Sequence, residues 1–188
     1  MKIKVCIFYF LLLFISNSYA LTTYTVGAGG TYSTILAAYN ACTTADVYII
    51  DIRSDYVQEA LPIVLTALTN KSTTNTVTIR PQTGNTVSLA NTGTETYIFQ
   101  FTSANYVIID GRANSAGASA FTIANNQTAK GQAVRLDGTC SYITVKYCTL
   151  NGSNATTGVG SATTNAGVFQ IGESGAGNFS NITLDNCT

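Results

Sequence analysis

A short strand phrase recurs along this chain with its apolar residues in constant phase. It is clearest at residues 141–150, S-Y-I-T-V-K-Y-C-T-L. There Ile143 and Val145 alternate with polar neighbours, Lys146 and Tyr147 interrupt, and Cys148 and Leu150 resume the alternation. That pattern reads as strand, bend, strand. The same phrase returns at 180–187, with Ile182 and Leu184 inward and Asp185-Asn186 bending, and at 105–111, with Val107 and Ile109 inward and Asp110-Gly111 bending. Asn and Gly tolerate left-handed backbone, which supplies a mechanism for the bend. Fainter copies stand at 77–79 (V-T-I) and 47–49 (V-Y-I), so the first apolar positions are 47, 77, 107, 143 and 182. A constant strand with elastic spacing is the mark of a coiled solenoid, whose insertions are absorbed in loops.

A second strand is expected upstream of the main one in each coil, at 97–101 (Y-I-F-Q-F), 133–136 (A-V-R-L) and 168–171 (V-F-Q-I), and a third at 120–124 (A-F-T-I-A). Val134, Leu136, Phe169 and Ile171 then point inward and stack on their equivalents. The 151–167 connection is small and polar and belongs on the surface. The fold class expected is therefore all-β, a right-handed parallel β-helix with a short N-terminal capping helix. The division expected is 1–20 signal peptide, 21–46 N-terminal strand and capping helix, and 47–188 coils.

Residues 1–20 carry Lys2 and Lys4, an apolar run at 5–15, and small residues at Ser18 and Ala20. This is the grammar of a cleavable secretory signal, and the run is too short to span a bilayer as a helix. A secreted or cell-surface location follows as an expectation. Without Lys2 and Lys4 the nine basic residues fall to seven against nine acidic ones, a formal charge of −2. No basic stripe suits nucleic acid. Cys42, Cys140, Cys148 and Cys187 match no zinc or redox spacing. Cys148 and Cys187 hold equivalent places in successive phrases, so a disulfide is geometrically open to them and two buried thiols are the simpler reading.

Thr31 or Ser33 can cap a helix in which Ile35, Ala38, Tyr39 and Cys42 share one face. Laid across the first rung of a solenoid, such a helix covers its apolar end. The chain stops at 185–188 (D-N-C-T), inside a strand phrase and with no closing element. A solenoid needs a terminal cap, so a C-terminal continuation of the same chain is expected.

The opening V-G-A-G-G-T-Y-S-T-I-L-A-A-Y-N-A, followed by V-Y-I-I-D-I-R-S-D-Y-V-Q-E, resembles the N-terminal cap and first coil of the pectin-lyase-like superfamily. The opening is most similar to its pectin methylesterase members, and the phrases at 141–152 and 180–188 resemble its coils. The resemblance implies a right-handed parallel β-helix. It says nothing decisive about activity, because fold does not imply function.

Histidine and tryptophan are absent. That removes Ser-His and Cys-His nucleophile pairs and the strongest sugar-stacking side chain from this segment, while 11 tyrosines remain. The outward or bend carboxylates Asp51, Asp110, Asp137, Glu173 and Asp185 show no catalytic pairing. Asp110, Lys146 and Asp185 share a phase and read as an alternating-sign column on a solvated face. Gln132 in G-Q-A-V-R-L is similar to the catalytic glutamine of pectin methylesterases, but the aspartates that such an esterase needs are missing. The polygalacturonase Gly-His-Gly is missing, and no acidic cluster adjoins Arg112 or Arg135 as in pectate lyases. No catalytic residue, metal site or cofactor is assigned. Gln100, Arg135 and Gln170 project from the upstream strand in one column, where an amide-Arg-amide ladder suits a polysaccharide. The function expected is an exported or cell-surface β-helix scaffold that binds polysaccharide. The alternative is the N-terminal part of a secreted polysaccharide lyase or pectin esterase with its active coils beyond residue 188.

Overall fold

The computed structural model describes residues 19–127, 131–152, 168–172 and 177–188. Most of the expected signal segment, Glu173 and most of the 151–167 connection therefore lie outside the described residues. Alternating apolar residues form strands throughout. In chain order the elements are β1 (Leu21–Val26), α1 (Ile35–Asn40), β2 (Val47–Ile52), β3 (Ile63–Thr66), β4 (Val77–Pro81), β5 (Val87–Asn91) and β6 (Tyr97–Thr102). They continue with β7 (Asn105–Asp110), β8 (Phe121–Asn125), β9 (Gln132–Asp137), β10 (Ser141–Lys146), β11 (Thr149–Gly152), β12 (Phe169–Ile171) and β13 (Ser180–Asp185).

These strands make an all-β molecule of three sheets, in which every named strand pair is parallel. The first sheet runs β1-β2-β4-β7-β10-β13, the second β3-β6-β9-β12 and the third β5-β8-β11. From β4 onward the chain visits the first, third and second sheet in strict rotation. Wholly parallel sheets bury their inner faces. Ile79, Leu89, Phe99, Ile109, Ile123, Leu136, Val145 and their neighbours form one apolar cluster.

The expected register of the first sheet holds over four strands: Val77 pairs with Val107, Val107 with Ile143, and Ile143 with Ile182. At β2 it slips by one. Val77 lies opposite Tyr48 rather than Val47, and Tyr48, Ile50 and Ile52 are the buried residues of β2. In V-Y-I-I-D-I five of six residues are apolar or aromatic, so alternation alone cannot name the inward face.

The second-sheet strands also fall where expected, with Phe169 over Val134 and Ile171 over Leu136. β12 and β13 are the terminal strands of their sheets, and Ile171 and Leu184 are about half exposed. β3 and β5 are short strands that the alternation did not announce.

α1 forms as the spacing of Ile35, Ala38 and Tyr39 requires, and all three are buried with Cys42. Its cap is Thr34 and not Thr31 or Ser33: the Thr34 hydroxyl accepts from Ala37 N at 3.1 Å. Thr31 instead exchanges hydrogen bonds with Thr25. Glu59 completes the helix start, its carboxylate accepting from Ile35 N at 2.6 Å and Leu36 N at 3.2 Å. Tyr39 O–H donates to the Thr66 carbonyl at the end of β3, tying the helix to the second sheet. No helix among the described residues is long and apolar enough to cross a membrane.

The bends obey two different rules. Tyr147 and Asn186 are left-handed, with φ of 54° and 48°. Gly111, the equivalent residue after the neighbouring strand β7, is not. Glycine is required there by space, since a Cβ would overlap the Tyr147 carbonyl oxygen.

Candidate functional site

Strand β9 places Arg135 and Asp137 on the same side of the sheet because they are two residues apart. Register then sets Gln100 beside Arg135 and Arg135 beside Gln170, the column that the sequence implied. The three do not stand free in solvent. Arg135 is 6% exposed and Gln170 is buried, while Gln100 is half-buried. Arg135 Nε donates to both Asp137 oxygens, at 2.9 and 2.8 Å, and Nη1 donates to the Tyr97 hydroxyl at 2.6 Å. The guanidinium also lies over the Tyr97 ring, 4.6 Å from its centroid. Gln100 Nε2 donates to the same Asp137 carboxylate at 2.9 Å. Gln170 Oε1 accepts from Gln132 Nε2, and Gln170 Nε2 donates to Gly172 O at 3.4 Å. Asp137 thus gathers Arg135 and Gln100 into an internal network, and Arg135 folds along the sheet instead of reaching outward. Gln132 is buried beside Gln170.

The outer face of the first sheet is different in kind. Position 106 is bulged out of the pairing, as are 142 and 181, since register passes from Asn105–Ser141–Ser180 directly to Val107–Ile143–Ile182. All three bulged residues are left-handed, with φ of 55° at Tyr106, 54° at Tyr142 and 53° at Asn181. Asparagine tolerates that conformation, whereas a bulky aromatic there is an outlier. The two tyrosines turn their rings outward and stack, with centroids 4.7 Å apart and planes 14° apart. Two residues further along, Thr78, Ile108, Thr144 and Thr183 form a second column. Between the columns lies a groove of about 200 Å³ lined by Thr73, Thr76, Tyr106, Ile108, Tyr142, Thr144, Asn181 and Thr183. None of these eight residues is charged. Sequence reasoning missed this site because Tyr106 and Tyr142 are 36 residues apart. The shared N/S-Y-[VI]-[IT] phrase was the available signal.

The alternating-sign column has the expected register, Asp110 beside Lys146 beside Asp185. Its setting is not a solvated face at Asp110, whose side chain is fully buried. Arg112 N and Nε donate to Asp110 Oδ1 at 3.1 and 3.2 Å, and Lys146 Nζ stands 3.3 Å from Oδ2. Burial pushes the Asp110 carboxyl up, but the Arg112 hydrogen bonds and the Lys146 charge outweigh it and hold the group below its ordinary value. Arg112 in turn lies 3.6 Å from the centroid of the Tyr147 ring. These charges satisfy one another and so serve the bend.

Cys148 and Cys187 follow the paired strands β10 and β13, with Thr188 N donating to Cys148 O at 3.1 Å. Both are free thiols, as are Cys42 and Cys140. Burial, and then the adjacent Cys187, raise the Cys148 pKa, while burial raises that of Cys42 to about 12. Thiolate chemistry is therefore suppressed at both. Among the described residues no group of three or more Cys, Asp or Glu side chains is placed to hold a metal ion.

Comparison with family models, with curated proteins and with solved structures yields no match for this chain.

Proposed function

We propose that this chain is an exported or cell-surface scaffold, built as a right-handed parallel β-helix of the pectin-lyase-like kind, that binds polysaccharide. The single observation that carries the reading is the rotation of the chain through three wholly parallel sheets with register kept from rung to rung. Parallel strands joined by crossovers are right-handed in nearly all proteins, which sets the hand of the coil. A stack of that form presents long flat faces on which equivalent side chains recur about every 4.8 Å, a geometry matched to a polymer with its own repeat. Export is read from the basic start and the apolar run at 5–15.

Two measurements test the proposal. The protein made with its own N-terminus should be recovered outside the cytoplasm, and sequencing of its first residues should begin near Leu21. Its mobility in native gels cast with soluble polysaccharides should fall with at least one of them. Unchanged mobility on every polysaccharide would overturn the binding role. Release of methanol or unsaturated oligosaccharide from pectin would overturn the choice of a scaffold over an enzyme.

A further inference from the structure

The groove on the outer face of the first sheet carries an inference that deepens the scaffold reading and rests on it. We propose that the Tyr106–Tyr142 stack and the threonine column beside it form a binding site for an uncharged glycan, one sugar ring seated against the tyrosines and its chain running across the rungs.

The chemistry of the lining selects this ligand. A pyranose ring has an apolar C–H face and a rim of hydroxyls, each both donor and acceptor. The groove offers the complement: an aromatic surface for the face, and for the rim the hydroxyls of Thr73, Thr76, Thr144 and Thr183, which also donate and accept. The Asn181 amide adds one more donor-acceptor pair. None of these side-chain groups has a hydrogen-bond partner among the described residues. Such a set of unpartnered groups converging on one concavity is what a polar ligand requires.

Charge decides between classes of glycan. The nearest charged column sets two carboxylates, Asp110 and Asp185, against two cations, Lys146 and Arg112, and so carries no net charge. No cation is left in the groove to hold a uronate. The volume, about 200 Å³, falls below the roughly 300–1,000 Å³ of sites for drug-sized molecules and suits a single ring of a chain.

Backbone conformation points the same way. The next rung has asparagine at the bulge, the residue that the left-handed geometry favours. Tyrosine in the two preceding rungs is held at a conformational cost, and costly conformations of this kind collect at ligand sites. Thr76 and Asn181 flank the tyrosine pair and are smaller, so the column narrows on either side and Tyr142 is left 38% exposed.

The test is the double variant Tyr106→Asn/Tyr142→Asn, which installs at both bulges the residue that the chain itself uses at 181. Its far-UV circular dichroism and melting should match or exceed the parent's. Binding is read by affinity electrophoresis against neutral glucan, xylan and mannan, with polygalacturonate as the acidic comparator. The parent should bind at least one neutral glycan, and the double variant should bind it about tenfold or more weakly. Saturating sugar should perturb the tyrosine absorbance of the parent and not of the variant.

If the double variant loses its fold, Thr183→Glu at the exposed rim must show the same loss on neutral glycan. Preference for polygalacturonate, or neutral binding that survives the substitutions, overturns this site while leaving the polysaccharide scaffold standing. Failure to bind any polysaccharide defeats both. Sedimentation showing a dimer that the double variant abolishes, without glycan binding, would reassign the face to self-association and also overturn the proposal.

Discussion

Replacing Asn125 by alanine should destabilise the protein more than any other single truncation of a polar side chain on the third sheet. Asn125 is fully buried at the end of β8. Its Nδ2 donates to the carbonyls of Thr96 at 2.8 Å, Gln132 at 3.1 Å and Glu95 at 3.2 Å. Its Oδ1 accepts from Asn91 Nδ2 at 3.0 Å and from Gln127 N at 3.1 Å. One side chain therefore ties the end of β8 and the start of β9 to the segment that leads into β6. In the alanine variant Thr96 O keeps its bond from Gln132 N, and Glu95 O keeps the Asn91 amide. The amide itself is what joins Gln132 O and Gln127 N to the Glu95–Thr96 segment.

The substitution removes five hydrogen bonds, and at about 0.5–1.5 kcal/mol net for each, less what their partners keep elsewhere, the loss should be about 3–4 kcal/mol. That is a large share of the roughly 5–15 kcal/mol that holds a domain together. Urea unfolding followed by far-UV circular dichroism should show it, together with a fall in Tm of about 10 °C.

Asn125→Asp sharpens the argument. It keeps the shape but turns a carboxylate toward three carbonyl oxygens. Burial and those oxygens raise its folded pKa above the ordinary value near 3.9. The unfolded chain then ionises first, so the penalty is absent at low pH and grows as pH rises through that value. At pH 7 it should exceed the alanine loss. Both variants within about 1 kcal/mol of the parent at pH 7 would refute the reasoning that this amide holds the end of β8 to β9 and β6.

Asp110→Asn should cost about 2–4 kcal/mol at neutral pH, because Arg112 and Lys146 lose a buried counter-charge. The Asp110 carboxyl is depressed in the folded state, so its contribution is present above the unfolded value of 3.8 and lost as pH falls through the lower folded one. The gap between variant and parent, measured by unfolding at several pH values, should therefore close below about pH 4. Gly111→Ala should destabilise by about 2–4 kcal/mol or prevent folding, because the new methyl meets the Tyr147 carbonyl. The matched exposed change Gly84→Ala meets no atom but sits at φ 81°, and unfolding of the two should separate crowding from backbone conformation. Thiol titration of the chain from residue 21 onward should find slow reaction in the native protein and four free thiols in urea without reductant. Two would reveal a Cys148–Cys187 disulfide.

The legible strands were those whose two faces differ in polarity. In β10 and β13 apolar residues alternate with Asn, Thr, Lys or Asp, and that phase, carried onto the related phrase of β7, predicts the pairing of Val107, Ile143 and Ile182. β2 failed that test because both of its faces are apolar, and a one-residue shift changed nothing visible in the sequence. Tertiary neighbours settle it: Tyr48 pairs with Thr44, and Lys71 lies over its ring at 4.2 Å. Asn91 and Asn125 went unread although they end the parallel phrases V-S-L-A-N and F-T-I-A-N, since an asparagine in an Asn-rich chain carries no signal until its amide is seen inside. The Gln100–Arg135–Gln170 column was found in register, but its burial was hidden. Nothing in a strand pattern says that Arg135 turns to Asp137 and Tyr97.

The sequence by itself determined that this chain alternates, bends and alternates again in constant phase, because side-chain direction along a strand has a period of two and needs no partner to be read. Only the tertiary structure decided which polar groups meet. Tyr106 and Tyr142 become a stacked pair, and Thr144 and Thr183 neighbours, through parallel pairing across 36 to 39 residues of chain. Pairing on that scale is set by how the whole core closes, and no local stretch of residues encodes it.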